Sequence, residues 1–156
     1  MRQFGLVGKT LSHSFSKIYF DEKFRREQIS DASYSLFEIT DIQDIISFIQ
    51  QHPDLVGFNV TIPYKQTIIP YLAALSDEAT AVHAVNTVLI QRTGNKFVTK
   101  GFNTDIIGFR QSLQGCDIPE RALVLGTGGA AAAVSYVLER AGCQCTAVSR
   151  DEKRGL

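Results

Sequence analysis

The chain has no excess of charge of either sign, with Lys plus Arg and Asp plus Glu at 16 each in 156 residues. A surface balanced in this way carries no net field to gather nucleic acid or an anionic membrane, so the expected partner is a small molecule. Long apolar runs are missing as well. No segment approaches the roughly 20 apolar residues that span a bilayer, and Met1-Arg2-Gln3-Phe4 leads directly into Gly5-Leu6-Val7-Gly8-Lys9, leaving no room for the apolar core of a secretion signal. A cytoplasmic location is expected, and the Asn59-Val60-Thr61 glycosylation sequon carries no weight without a secretory leader. Cysteine is scarce: Cys116, Cys143 and Cys145 are odd in number, and Cys143-Gln144-Cys145 lacks the C-x-x-C spacing of a redox or zinc motif. The three read as reduced core thiols, and no metal site is expected. Internal repeats, low-complexity tracts and charge blocks are also absent.

What is present is 44% hydrophobic content, enough to bury a real core. Gln3 to Val7 reads as a strand closed by Gly8, and Phe15 to Phe24 as a helix with Ile18, Tyr19 and Phe24 on one face. Tyr34 to Ile39 is a second strand. Behind the N-cap candidate Thr40-Asp41, Ile42, Ile45, Ile46 and Ile49 recur at helical spacing. Leu55 to Val60 is a third strand, broken at Pro63, and Thr87 to Gln91 pairs with Lys96 to Thr99 across a hairpin turn at residues 92–95. A helix is expected from Asn103-Thr104-Asp105 to about Gln114. Beyond a connection, Ala122 to Leu125, the glycine turn at 126–129, the alanine-rich stretch 130–141 and Cys145 to Val148 form one βαβ unit. The pattern predicts an α/β protein: a mixed, mainly parallel sheet flanked by helices, followed by an incomplete Rossmann-like βαβ unit. Ligands of such sheets sit at the carboxyl ends of the strands.

Residues Gly126, Thr127, Gly128, Gly129 and Ala130 occupy the passage from strand to helix, where backbone N–H groups point at an anion. The spacing is G-x-G-G-A-A, with Ala131 where the dinucleotide fingerprint has its third glycine. Tight strand-to-helix turns also use glycine for structural reasons alone. The next strand ends in Ser149-Arg150, where a site for NAD would carry a carboxylate for the ribose hydroxyl. Arg150 and Arg154 flanking Ser149 can hold a phosphate dianion, which favours NADP; next to Asp151 and Glu152 they also read as exposed surface arginines. The other glycine loop, Gly8-Lys9-Thr10, is no phosphate loop, because Gln3 stands where that motif needs glycine.

Ser12-His13-Ser14-Phe15-Ser16 places three hydroxyls between the first strand and the first helix. Asn59-Val60-Thr61-Ile62-Pro63-Tyr64-Lys65 leaves the third strand at the same end, with Pro63 stiffening the turn that presents Lys65. Ala84-Val85-Asn86-Thr87 adds an amide, and Gly101-Phe102-Asn103-Thr104-Asp105 a carboxylate. Hydroxyls, amides, one lysine and one aspartate suit a polyol with a charged end. Taken singly, Ser14 and Asp105 read as helix caps and Lys65 as an exposed lysine.

These segments, in this order and together with Gly126-Thr127-Gly128-Gly129-Ala130 and Ser149-Arg150, resemble the shikimate dehydrogenase family along essentially the whole chain. The resemblance implies NADPH-dependent, reversible reduction of 3-dehydroshikimate to shikimate, with Lys65 and Asp105 as the catalytic pair. It implies that Ser14, Ser16, Asn59, Thr61 and Asn86 bind substrate. It further implies that Asp77, Gly126 to Ala130, Ser149, Arg150 and Arg154 serve the cofactor, although Asp77 reads equally as a helix-capping residue. The domains implied are a substrate-binding unit over 1–102, a helix and connection over 103–120, and a truncated NADP-binding unit over 121–156, open to self-association. Two departures stand out: Lys9-Thr10 and Lys17 replace the family's prolines around the serine loop, and the family's later strands and returning helix have no counterpart here. The competing reading is a non-catalytic shikimate- or quinate-binding paralogue. Binding alone does not require the Lys65 and Asp105 pair, which argues against it.

Overall fold

A computed structural model describes residues 1–149. Its first unit runs β1 (Arg2–Gly8), α1 (Ser16–Arg26), β2 (Ala32–Glu38), α2 (Ile45–Gln51), β3 (Leu55–Val60), α3 (Tyr64–Thr67), β4 (Ala74–Leu75), α4 (Asp77–Val82), β5 (Thr87–Thr93) and β6 (Lys96–Phe102). There follow α5 (Thr104–Ser112), β7 (Arg121–Leu125), α6 (Gly129–Arg140) and β8 (Gln144–Val148). The six strands of the first unit form one mixed sheet in the order β2-β1-β3-β5-β6-β4. Strand β1 is parallel to β2 and β3, β4 is parallel to β6, and β5 runs antiparallel to both its neighbours.

The strand period of two sends successive side chains of β1 to opposite faces, so Leu6 and Val7 feed different cores. Val7 packs with Ile45, Ile49, Leu55, Phe58, Val60, Ile68 and Val88 under α2. Leu6 packs with Leu11 and Tyr34, against which Phe20 and Phe24 of α1 lie. The isoleucine run that predicts a helix is split: a short 3-10 turn at Ile42–Asp44, capped by the Asp41 side chain on the Gln43 N–H, precedes α2. Strand β4 and helix α4 are additions to the predicted elements; two residues of strand and six of helix are too short to show a period.

Helices α4, α5 and α6 join through Val82, Ile106, Ala133 and Val137, with Ala84 just after α4, and this cluster ties the βαβ unit to the helices that flank the first unit. Strands β7 and β8 form a parallel pair of their own. One face packs under α6 through Val124, Leu138 and Cys143, while Leu123 and Leu125 on the other face are 71% and 84% exposed. Cysteine placement corrects one expectation: Cys143 is buried and Cys145 half-buried, but Cys116 is exposed, because it lies in the polar connection after α5 rather than in a core. No helix among the described residues is long and apolar enough to cross a membrane.

Candidate active site

Four loops meet at one end of the sheet because of its strand directions. The parallel pair β1 and β3 ends there, and the Thr61 N–H donates to the Val7 carbonyl at 3.0 Å. Antiparallel β5 starts there, opposite Asn59, and β6 ends there with Phe102 facing Thr87. The cleft between these loops has a volume of about 910 Å³ and is lined by Ser14, Ser16, Asn59, Thr61, Lys65, Asn86 and Asp105, together with Thr104. All seven residues expected to contact substrate or carry its chemistry therefore share one cavity.

At its floor Lys65 Nζ donates to Asp105 Oδ2 at 2.7 Å, with the two side chains 17% and 35% exposed. Asn86 Nδ2 donates to the other carboxylate oxygen at 2.7 Å. The Asn86 Oδ1 accepts from the Thr104 N–H at 2.9 Å and from the Thr104 and Thr87 hydroxyls at 3.0 Å each. Asp105 is not the cap of α5. That role belongs to buried Asn103, whose Oδ1 accepts from the Ile106 N–H while its Nδ2 donates to the Ala84 carbonyl at 3.0 Å. The aspartate is thereby left to hold an ammonium, and Lys65 is held in the cleft instead of extending into solvent. Thr104 and Thr87 have structural parts in this network that no spacing in the sequence signals.

In the serine loop, Ser14 Oγ accepts from the Ser16 N–H at 3.2 Å, a cap-like contact at the start of α1. Glu38 Oε1 accepts from the Leu11 N–H at 2.7 Å and ties the loop to the end of β2. Below the loop, the Tyr34 hydroxyl donates to Asn59 Oδ1 at 2.8 Å. Burial pushes the Tyr34 phenol up to about 12, an effect partly offset by the nearby Ser16 hydroxyl.

The glycine turn lies next to Lys65. Gly126 has φ +118°, a conformation open to glycine, and its N–H donates to the Val148 carbonyl at 2.8 Å. A Cβ on Gly128 would meet nothing within 4 Å, whereas one on Gly129 would lie 3.0 Å from Ala84 Cβ and 3.1 Å from Lys65 Cβ. The start of α6 thus packs against the stem of Lys65. The first N–H groups of this 12-residue helix lack intrahelical acceptors, and the space beside Gly128 is open to a ligand, so the turn, including Thr127 and Ala130, fits a pyrophosphate. Ser149 follows β8 directly. Arg150 and Arg154 lie outside the described residues. Asp77 stands in the first turn of α4, capped by Ser76 on the Ala79 N–H, and is not among the residues lining the cleft. Among the described residues no group of three or more His, Cys, Asp or Glu could hold a metal ion.

A mixed α/β sheet whose strand ends carry a Lys65, Asp105 and Asn86 network, abutting a glycine-turn βαβ unit, defines a class: two-unit α/β proteins with a polar ligand cleft. A family model described as the shikimate dehydrogenase substrate binding domain matches residues 6–88, and the chain belongs to this family. The chain is 37% identical over 148 residues to a protein named shikimate dehydrogenase (NADP(+)) from Caldicellulosiruptor saccharolyticus, covering 91% of this chain and 51% of that one. The protein of the same name from Clostridium beijerinckii is 40% identical over 159 residues, covering 98% and 57%. The crystal structure of shikimate dehydrogenase 1 from Peptoclostridium difficile superimposes with a TM-score of 0.88 at 34% identity, over 100% of this chain and 58% of that one. A Thermus thermophilus shikimate 5-dehydrogenase, solved in complex with NADP(H) and shikimate, gives 0.81 at 30% identity, over 99% and 58%. The chain spans about half the length of the curated relatives it matches.

Proposed function

We propose that this chain supplies the substrate-binding unit and the first part of the nucleotide-binding unit of a cytoplasmic NADP-linked oxidoreductase of aromatic amino-acid biosynthesis. Its reaction is the reversible reduction of 3-dehydroshikimate to shikimate. Residues 1–102 form the substrate unit, 103–120 the connecting helix and linker, and 121–156 the start of the Rossmann-like NADP unit. The observation that carries the reading is the 2.7 Å Lys65 and Asp105 pair in the cleft, with Gly129 of the glycine turn packed against the stem of that same lysine. The names of the relatives support the substrate and the cofactor.

NADPH, when bound, supplies the hydride that reduces the substrate carbonyl. As that carbonyl becomes a hydroxyl, its oxygen needs a positioned proton donor, and Lys65 Nζ is the ammonium at hand. Asp105 holds Nζ in place, and Asn86 fixes the rotation of the carboxylate from its other oxygen. Ser14, Ser16, Asn59 and Thr61 offer hydroxyls and an amide to the substrate's carboxylate and hydroxyls. Gly126, Thr127, Gly128, Gly129 and Ala130 receive the pyrophosphate. Ser149, Arg150 and Arg154 would hold the 2′-phosphate, and Asp77, in the first turn of α4 and outside the cleft lining, would serve the nicotinamide end. The open face of β7 and β8, with Leu123 and Leu125, gives the isolated chain a surface for self-association.

The test is a spectrophotometric assay of the protein carrying this chain, with shikimate and either NADP⁺ or NAD⁺. Shikimate-dependent formation of NADPH, faster than formation of NADH, is the expected outcome. No reduction of either nucleotide would overturn the proposal, and a preference for NAD⁺ would overturn the cofactor assignment.

A further inference from the structure

Tyr34 lies outside the lining of the cleft, 25 residues from its hydrogen-bond partner Asn59, and none of the roles assigned above falls to it. Only 3% exposed, its ring stacks on Phe20 with centroids 4.3 Å apart and planes 10° from parallel. Phe20 itself lines the cleft.

The hydrogen bonds leading away from this hydroxyl share one direction. Asp105 is a carboxylate and can only accept, so Asn86 must turn its NH₂ toward it and its Oδ1 toward Thr87 and Thr104. The Thr87 hydroxyl therefore spends its proton on Asn86 and accepts at its oxygen from Asn59 Nδ2 at 3.1 Å. A second acceptor, the Asn86 carbonyl, lies 3.4 Å from the same Nδ2. With its NH₂ committed on that side, Asn59 must aim Oδ1 at Tyr34, which must donate. A flipped Asn59 amide would set its oxygen against two acceptors.

We infer that Tyr34 is a positioning residue for substrate recognition, anchoring Oδ1 of the Asn59 amide, whose NH₂ side Thr87 and the Asn86 carbonyl orient, so that one Oδ1 lone pair stays available to a substrate hydroxyl. The inference rests on the functional reading above, in which Asn59 contacts the polyol. Because burial keeps the phenol neutral well beyond physiological pH, Tyr34 remains a donor wherever the protein works. Tyr34→Phe keeps the ring and its stack on Phe20 while removing the donor.

The experiment is a calorimetric titration of shikimate into the protein carrying this chain in four forms: wild type, Tyr34→Phe, Asn59→Ala and the double variant. Tyr34→Phe is expected to weaken binding by about fivefold, the scale of one net hydrogen bond. In the Asn59→Ala background the same change should cost less than about half as much, since the group it positions is gone. An equal loss in both backgrounds would mark Tyr34 as merely structural and overturn the inference, as would no loss in the single variant. A second readout needs only the single variant: the Asn59 side-chain amide resonances of Tyr34→Phe should move in ¹⁵N correlation spectra, and unmoved resonances would overturn the inference. A wild-type protein that fails to bind shikimate would bring down the functional reading and this inference together. The wild-type titration thus separates that failure from failure of the Tyr34 assignment alone.

Discussion

At the scale of single residues, the cleft is organised by which atoms can donate and which can only accept. The Asp105 carboxylate sets the orientation of Asn86, and through Thr87 that of Asn59, so the polar groups facing the ligand are ordered before it arrives. Such preorganisation lowers the cost of binding and of positioning the reacting groups. Tyr34 adds a pH consequence. Its phenol is raised from an ordinary 10.0 to about 12 in the folded protein. As pH climbs through this interval the unfolded chain loses the Tyr34 proton while the folded chain keeps it, so the contribution of the buried neutral phenol to stability is lost. Below the lower value that contribution is fully present. Urea unfolding of wild type and Tyr34→Phe, at neutral pH and across that interval, should show an advantage of the wild type that shrinks as pH rises; an advantage independent of pH would contradict the assignment. The sequence exposed Lys65, Asp105, Asn86 and Asn59 of this network but neither Thr87 nor Tyr34 at its far end. Lys65 and Asp105 stand out as a charged pair leaving strands, whereas the Tyr34 hydroxyl reads as one more aromatic of a half-buried strand, because its partner is set by the parallel register of β1 with both β2 and β3.

Among elements, the decisive joint is that of α6 with α3 and α4. Gly129 opens α6 against Ala84 and Lys65, at separations where a methyl group forces a neighbour to move. Gly129→Ala is expected to destabilise the fold by about 1 kcal/mol, the low end of the cost of overpacking, and to shift the Lys65 stem by a few tenths of an ångström. Chemical denaturation of the pair of proteins checks the first expectation, and a variant as stable as wild type would show that the joint yields freely. Most elements were legible from local signals: the short apolar run of β1 closed by Gly8, the helically spaced isoleucines before and within α2, and the turn of the β5 and β6 hairpin. The short pieces were not. Ala74–Leu75 becomes a strand only by pairing with Lys100 and Gly101 of β6, a non-local contact with no local signature. Helix α4 ends within six residues at His83, which adopts φ +49°. The glycine turn was legible as a turn, but the close approach of Gly129 to Lys65, 64 positions earlier in the chain, is a product of tertiary packing.

Over the whole molecule, a cleft of the first unit lies beside the joint with the second. The mixed sheet brings hydroxyls, amides and the Lys65 and Asp105 pair to the ends of its strands, and the packing of α6 on α4 and α5 sets Gly129 of the glycine turn against the stem of Lys65. The family was legible because each of these loops keeps its residues in sequence order, and the fit to structures with TM-scores of 0.88 and 0.81 follows the same order in space. The proposed function stands on Lys65 being the proton-handling group of a reduction at this cleft. Steady-state kinetics of Lys65→Ala in the protein carrying this chain, with shikimate and NADP⁺, test it most directly. The account predicts a fall in kcat of roughly 10² to 10⁴-fold with a smaller change in KM, the scale of a lost acid-base group. A near-normal kcat would contradict it.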